Sequence, residues 1–321
     1  MSIENPPATV IVTGATGFVG RNLLQRLACQ VDRVIAINRG DVLPTGPSGV
    51  ALSRIEQVAV RDLGALDPGA DAIVVHLAAS RYDAVKFRTD QARILVENVD
   101  LAGWIYSFCA EKGINEVRLA SSIAVYGASQ IVLDDQQPLP ENDPFVSEMM
   151  YGWSKRVAET YSRLFLEKYG IHTVAFRLSN PYGPFDAIDE ESAHVVPAFV
   201  IRALCGDGPF TIRGNPAATR DFIFIDDVVD VLTRSLSWRE RTGVFNLATG
   251  QNVTIQYLAE TVLRLTRCNR PIVVGGAATG DVVHRQCAVE ALRRAFHPGP
   301  MTQLEQGLIP TIEWYRNVLG R

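Results

Sequence analysis

Thr9-Val10-Ile11-Val12-Thr13-Gly14-Ala15-Thr16-Gly17-Phe18-Val19-Gly20 decides the reading of this chain. A run rich in β-branched residues enters a loop with glycines at 14, 17 and 20. Leu23, Leu24 and Leu27 then follow at helical spacing, so the pattern predicts strand, tight turn and helix N-terminus. Such a helix start carries unpaired N–H groups and a partial positive charge, which suit a phosphate. Gly14 permits the tight turn, Gly17 lets backbone approach a pyrophosphate, and Gly20 lets the helix pack on the strand. The spacing is G-x-x-G-x-x-G, where the commoner dinucleotide fingerprint is G-x-G-x-x-G. By itself the loop fits either a phosphate site or a plain strand-to-helix turn.

The 321 residues are 47% hydrophobic and 21% charged, which fits one large or two intimate folded domains. A net charge of −4 gives no support for nucleic-acid binding. Five cysteines, Cys29, Cys109, Cys205, Cys268 and Cys287, stand far apart with no CxxC pair. They suggest free thiols, and neither a zinc site nor a disulfide framework. The histidines do not cluster, and His172 lies in an apolar run that suits a core role. No metal site is expected. Met1-Ser2-Ile3-Glu4 lacks the basic start of a secretion signal, and no apolar run approaches the ~20 residues of a membrane span. The expectation is a cytoplasmic protein without a membrane partner.

Further apolar runs predict strands at 33–37, 55–60, 72–76, 116–120 and 173–178. Helices are predicted over 88–112 and 153–169, and a Pro- and Gly-rich loop over 41–50. Strands that alternate with helices and read as continuous apolar runs predict a doubly wound parallel sheet. Beyond residue 180 prolines interrupt the chain and helices shorten. The division expected is a dinucleotide-binding domain over 1–178 and a smaller C-terminal substrate-binding domain over 179–321. Strands near 222–225 and 244–247, with a helix between them, are expected to return to the main sheet.

Tyr151-Gly152-Trp153-Ser154-Lys155 is the sharpest chemical signal. Tyr and Lys four apart share one helix face. An ammonium near a phenol favours the phenolate, so the pair can shuttle a proton. Ser121-Ser122 stands at the carboxyl end of the fifth strand, where ligands bind in such sheets. Ser122 either bonds the substrate oxygen that Tyr151 protonates or caps a local turn.

With these blocks the chain resembles the extended short-chain dehydrogenases/reductases, which include nucleotide-sugar epimerases, dehydratases and 4-ketoreductases. The resemblance rests on Thr13–Gly20, on 76–79 (HLAA), on 121–127 (SSIAVYG) and on Tyr151–Lys155. It continues through 177–184 (RLSNPYGP), 220–228 (RDFIFIDDV), 300–307 (PMTQLEQG) and Trp314-Tyr315. It implies a Rossmann-type α/β fold, with Ser122, Tyr151 and Lys155 as the catalytic set. It implies cofactor contacts from Gly14, Gly17, Phe18, Val19, Gly20, Asn38, Arg39, Asp62, Leu63, Leu77, Ala78, Ala79, Asn98, Tyr151 and Lys155, the last binding the nicotinamide ribose. Ser80, Arg81, Asn180 and Arg220 would face a nucleotide-diphosphate sugar. The alternative for Arg220 is a surface ion pair with Asp221 or a neighbour. A homodimer through helices near 92–110 and 153–169 is also implied.

Three departures from the family pattern refine this. NAD-dependent members usually end the second strand with an acid, whereas this chain has Asn38-Arg39. Arginine can accept a 2′-phosphate, so NADP(H) is favoured and NAD(H) remains possible. Ile123-Ala124 stand where 4,6-dehydratases carry Asp-Glu, which argues against water elimination. Ala277-Ala278-Thr279 replaces an arginine common before Gly280-Asp281, a contact that Arg285 could supply. The function expected is NADPH-dependent reduction of a 4-keto-6-deoxy sugar nucleotide in carbohydrate biosynthesis. The alternatives are a 4-epimerase with retained cofactor and, remotely, a non-catalytic dinucleotide sensor.

Overall fold

The computed structural model describes residues 6–39, 55–69, 71–80, 90–127, 130–144, 149–275 and 284–321. In chain order come β1 (Thr9–Thr13), α1 (Phe18–Leu27), β2 (Arg33–Asn38), β3 (Ile55–Ala59), β4 (Ala72–His76), α2 (Gln91–Lys112), β5 (Glu116–Ser122), β6 (Val132–Leu133), α3 (Met149–Tyr169) and β7 (His172–Leu178). They are followed by β8 (Asn180–Tyr182), α4 (Val195–Cys205), β9 (Phe210–Arg213), β10 (Thr219–Phe224), α5 (Ile225–Ser235), β11 (Gly243–Leu247) and β12 (Asn252–Thr254). The chain ends with α6 (Ile255–Thr266), β13 (Ile272–Gly275), β14 (Gln286–Cys287), α7 (Glu290–Phe296) and α8 (Leu304–Leu319). The loop expected over 41–50 falls outside the described residues.

Seven strands form one parallel sheet in the order β11-β7-β5-β4-β1-β2-β3. The order reverses at β1, between β2 and β4, and that switch point opens a crevice at the carboxyl ends of the strands. β1 is buried along its whole length, as expected for a strand covered on both faces. Helix α1 covers one face through Leu23, Leu24 and Leu27, all essentially inaccessible. Truncating any of them to alanine costs about 2–5 kcal/mol. On the other face α2 packs against α3, with Ile105, Tyr106 and Ala158 in a second apolar cluster.

One expectation needs correction. The segment expected near 222–225 does not return to the main sheet. It forms β10, which pairs in parallel with β8 and antiparallel with β12 in a separate three-stranded sheet. Backbone pairing in that sheet is reinforced by side chains. The Asn180 amide donates to the Asp221 carbonyl at 2.9 Å. The Asp221 carboxylate accepts from the backbone N–H groups of Thr249 and Gly250 at 2.9 and 2.8 Å. Only β11, after α5, reaches the main sheet, at its edge beside β7. Among the described residues no helix is long and apolar enough to cross a membrane.

Gly20 marks the tightest contact between α1 and the first turn. A Cβ there would lie 2.2 Å from the Gly14 carbonyl oxygen and 2.9 Å from the Ala15 Cα, both backbone atoms with little room to give. Gly20→Ala is expected to lower stability by about 2 kcal/mol in urea unfolding. Gly64, where a Cβ would meet nothing within 4 Å, is the control, and Gly64→Ala should stay within about 0.5 kcal/mol.

Candidate active site

A cleft of about 1690 Å³ runs over the carboxyl ends of the sheet and down to β8 and β10. Its cofactor end begins at the first turn. Gly14 has φ +68°, and a Cβ on it would lie 2.7 Å from the Ala78 nitrogen. The turn after β1 and the segment after β4 therefore touch backbone to backbone, which only glycine permits. Gly17 caps α1 with no side-chain hydrogen bond, and the first helical turn carries no acid. Its free N–H groups and positive helix end suit a phosphate. Gly17 itself is less confined, since a Cβ there would lie 3.1 Å from the Gly14 oxygen.

Phe18, Val19, Asn38 and Arg39 line this end of the cleft, and Leu77, Ala78, Ala79 and Ser80 form its facing wall. The segment after β3 contributes Val60 instead of Asp62 and Leu63. A 3₁₀ turn over Val60–Ala65 rolls Leu63 into the core and leaves Asp62 in solvent beside Arg61. Asn98 is buried beneath the wall, where its side-chain oxygen accepts from the Ser80 N–H at 2.7 Å. It shapes the wall without lining the cleft. Arg81 falls outside the described residues.

Thr13 and His76 join the two sides of the turn. Thr13 Oγ1 pairs with His76 Nδ1 at 2.8 Å and accepts from the Ala78 N–H at 3.2 Å. Burial, with a smaller contribution from the Lys155 charge, pushes the His76 pKa down to about 3. The ring is neutral at working pH.

Ser122, Tyr151 and Lys155 all line the cleft. Helix α3 begins at Met149, so Tyr151 sits in its first turn and Lys155 one turn on. Lys155 Nζ lies 5.5 Å from the Tyr151 ring centroid and donates to the Ala120 carbonyl at 2.8 Å. Burial lowers its pKa to about 8, with Glu159 opposing the shift. Ser122 Oγ accepts from the Ala124 N–H at 3.1 Å, so this serine both caps a turn and faces the cleft.

Asn180 and Arg220 reach the far end, the first with its amide nitrogen already committed to Asp221. Arg220 makes no ion pair with Asp221, because Thr249 and Gly250 occupy that carboxylate. Among the described residues Arg220 has no acidic partner, and its guanidinium donates to the Thr219 carbonyl. The structure adds residues that sequence reading did not single out. His194 and Val195 open α4 at the cleft wall, with no side-chain cap and no acid in the first turn. Phe185, at φ +70°, and Trp314 also line the cleft, their rings 5.5 Å apart and tilted by 55°. Pro197 at the third position of α4 was the available signal for that helix start. Arg285, the candidate that the sequence offered for the missing arginine contact, lines the cleft and donates to the Gly127 carbonyl at 3.5 Å. Among the described residues no group of three or more His, Cys, Asp or Glu could hold a metal.

The residues at the cofactor end fit a dinucleotide. They offer a glycine cradle that a Cβ would fill, an uncapped helix N-terminus and a cationic strand end at Arg39.

Comparison with known proteins agrees with this geometry. The family model described as NAD dependent epimerase/dehydratase family matches residues 10–248. A dTDP-4-dehydro-6-deoxyglucose reductase of Escherichia coli is 27% identical over 83% of this chain and 84% of its own. A dTDP-4-dehydro-6-deoxy-D-allose reductase of a Streptomyces species is 30% identical over 96% of both chains. The solved structure of MoeE5 in complex with UDP-glucose and NAD is 28% identical, with a TM-score of 0.80 over 97% of this chain and 99% of that one.

His76 makes stability depend on pH. Its folded pKa of about 3 lies below the ordinary value of 6.5. The unfolded chain therefore binds a proton that the folded one refuses, and stability falls as pH drops from 6.5 towards 3. By pH 5 the loss from this group is about 2 kcal/mol. Urea unfolding at pH 7 and pH 5 should show His76→Gln losing less stability between the two than the unaltered protein.

Proposed function

The chain belongs to the NAD dependent epimerase/dehydratase family, and from that membership we propose that it reduces C4 of a 4-keto-6-deoxy sugar carried on a nucleoside diphosphate. The observation that carries this is Ser122, Tyr151 and Lys155 converging in the cleft between the glycine cradle and Arg220. When bound, the nicotinamide dinucleotide supplies the hydride that C4 takes. Tyr151 gives its phenolic proton to the C4 oxygen. Lys155, charged at neutral pH, stabilises the phenolate that results. Ser122 donates a hydrogen bond to the same oxygen. Arg220 and the α4 N-terminus at His194 and Val195 hold the diphosphate, the guanidinium by paired charged hydrogen bonds.

Two further observations support reduction over other chemistry in the family. Ile123 and Ala124 follow Ser122, and Ala124 is buried, so these positions carry no acid or base for elimination. Arg39 lines the adenosine end and would pair with a 2′-phosphate, which favours NADPH. One observation favours the second reading, a 4-epimerase that retains NAD. Glu97 on α2 also lines the cleft and feels the Arg39 charge, so that end is not uniformly positive.

We also place the protein in the cytoplasm as a homodimer. The α2–α3 layer leaves Val96 56% and Leu164 48% exposed, one apolar side chain on each helix that a second copy would cover. The division into a dinucleotide-binding part over 1–178, rejoined by β11, and a substrate-binding part over 179–321 follows the two ends of the cleft.

A screen of nucleotide-sugars that follows NADPH and NADH oxidation should give turnover with dTDP-4-dehydro-6-deoxyglucose or a close analogue. Epimerisation by the purified protein with no added cofactor would select the second reading. On the active substrate, Tyr151→Phe should lower kcat by about 10²–10⁴-fold. Arg39→Ala should weaken NADPH about 10–100-fold while leaving NADH nearly unchanged, the difference expected for a charged hydrogen bond to phosphate.

A further inference from the structure

The polar groups beneath Lys155 form a buried chain that the proton-transfer step does not use. Glu159 lies one turn beyond Lys155 on α3. Ser121 Oγ donates to its Oε1 at 2.5 Å. Arg177 on β7 donates through Nε to Oε1 at 3.0 Å and through Nη2 to Oε2 at 2.8 Å. The two side chains are only 5% and 10% exposed. Arg177 Nη1 donates to the Tyr126 hydroxyl at 3.0 Å, and that hydroxyl donates to Asn246 Oδ1 on β11 at 2.7 Å.

Stability alone does not account for this pair. Desolvating two charges costs several kcal/mol each, and apolar side chains of similar size often serve a core as well or better. Its position supplies another reason. Lys155 donates to the carbonyl of Ala120, Glu159 grips the hydroxyl of Ser121, and Ser122 faces the cleft. Three consecutive residues of β5 are thus tied to two consecutive turns of α3 and to the cleft. The titratable and charged groups around Lys155 are Tyr151 and Glu159 on its own helix, His76 on β4, and Arg177 on β7 behind Glu159. Of these, His76 is neutral, and Glu159 is the carboxylate that opposes the effect of burial on Lys155.

We propose that Glu159 is a positioning residue for the Tyr151–Lys155 pair: its carboxylate, fixed by Ser121 and Arg177, places a negative charge one helical turn beyond the buried Lys155 ammonium and holds the Ala120–Ser122 backbone beneath it. This rests on the reading of Tyr151 and Lys155 as the proton-transfer pair.

The test needs neither substrate nor cofactor. The chain has four lysines, Lys86, Lys112, Lys155 and Lys168. Protein labelled with carbon-13 at lysine Cε therefore gives four signals, and the one lost in Lys155→Arg identifies Lys155. In the unaltered protein that signal should titrate near pH 8. In Glu159→Gln the midpoint should fall by about one unit or more, because burial then acts unopposed. That variant strands a buried guanidinium, so the double variant E159Q/R177M, in which loss of the Arg177 cation offsets part of the effect, should show a smaller fall in the same direction. Glu159→Asp keeps the charge and should stay near the original midpoint. An unchanged Lys155 midpoint in either neutral variant overturns the proposal, as does an Asp variant that shifts as far as Gln. Full turnover in Tyr151→Phe would instead overturn the reading of the catalytic pair, with the titration result standing on its own.

Discussion

The cleft depends on one backbone contact. At the switch point of the sheet, Gly14 comes so close to Ala78 that no side chain fits between them. The Thr13 hydroxyl spans the same gap to reach His76 and the Ala78 N–H. Together these set the separation of the two walls between which a dinucleotide lies. They also fix where α1 begins, since Gly17 N–H donates back to the Gly14 carbonyl at 3.0 Å. A helix end left uncapped is ordinarily a small loss of stability. Here the unpaired N–H groups are what the site offers to a phosphate.

The other end of the cleft is built by a different device. Asp221 is an acid spent wholly on structure. It is buried and fastened to the turn at Thr249 and Gly250, which aligns β10 with β8 and presents the preceding residue, Arg220, to the cleft. Burial pushes the Asp221 pKa up, and its backbone hydrogen bonds pull it back. The pattern Arg-Asp thus divides labour between neighbours on one strand, the acid fastening the turn and the guanidinium left without an acidic partner among the described residues.

Sequence and structure agree most closely where the signal is local. The glycine turn, the strand ending in Ser122, and the Tyr151–Lys155 spacing depend on residues within a few positions of one another, and each could be read directly. What escaped reading was set by distant pairing or by a turn without a residue signature. Nothing near Phe222 distinguishes a strand that joins the main sheet from one that pairs with Asn180–Tyr182, because that choice is made by hydrogen bonds across some forty residues. Asp62 and Leu63 missed the cleft because a 3₁₀ turn rotated them, and that turn has no strong residue signature. His194 and Val195 were passed over because a helix start shows its uncapped N–H groups only once its end is placed in the cleft.

Ser122 has a consequence beyond its place in the cleft. Its oxygen has one lone pair engaged by the Ala124 N–H. A hydroxyl that accepts a hydrogen bond becomes a better donor of its own, because the chain of dipoles polarises in one direction. The small turn at Ile123–Val125 is therefore an electronic component. It biases the serine towards giving a proton and leaves it a single lone pair for receiving one. An oxygen without hydrogen, such as a ketone, meets a primed donor, whereas an alcohol at the same spot finds less room for its own hydrogen. The turn at Ile123–Val125 thus sets which way the Ser122 hydroxyl points its hydrogen, away from the Ala124 N–H that its oxygen accepts.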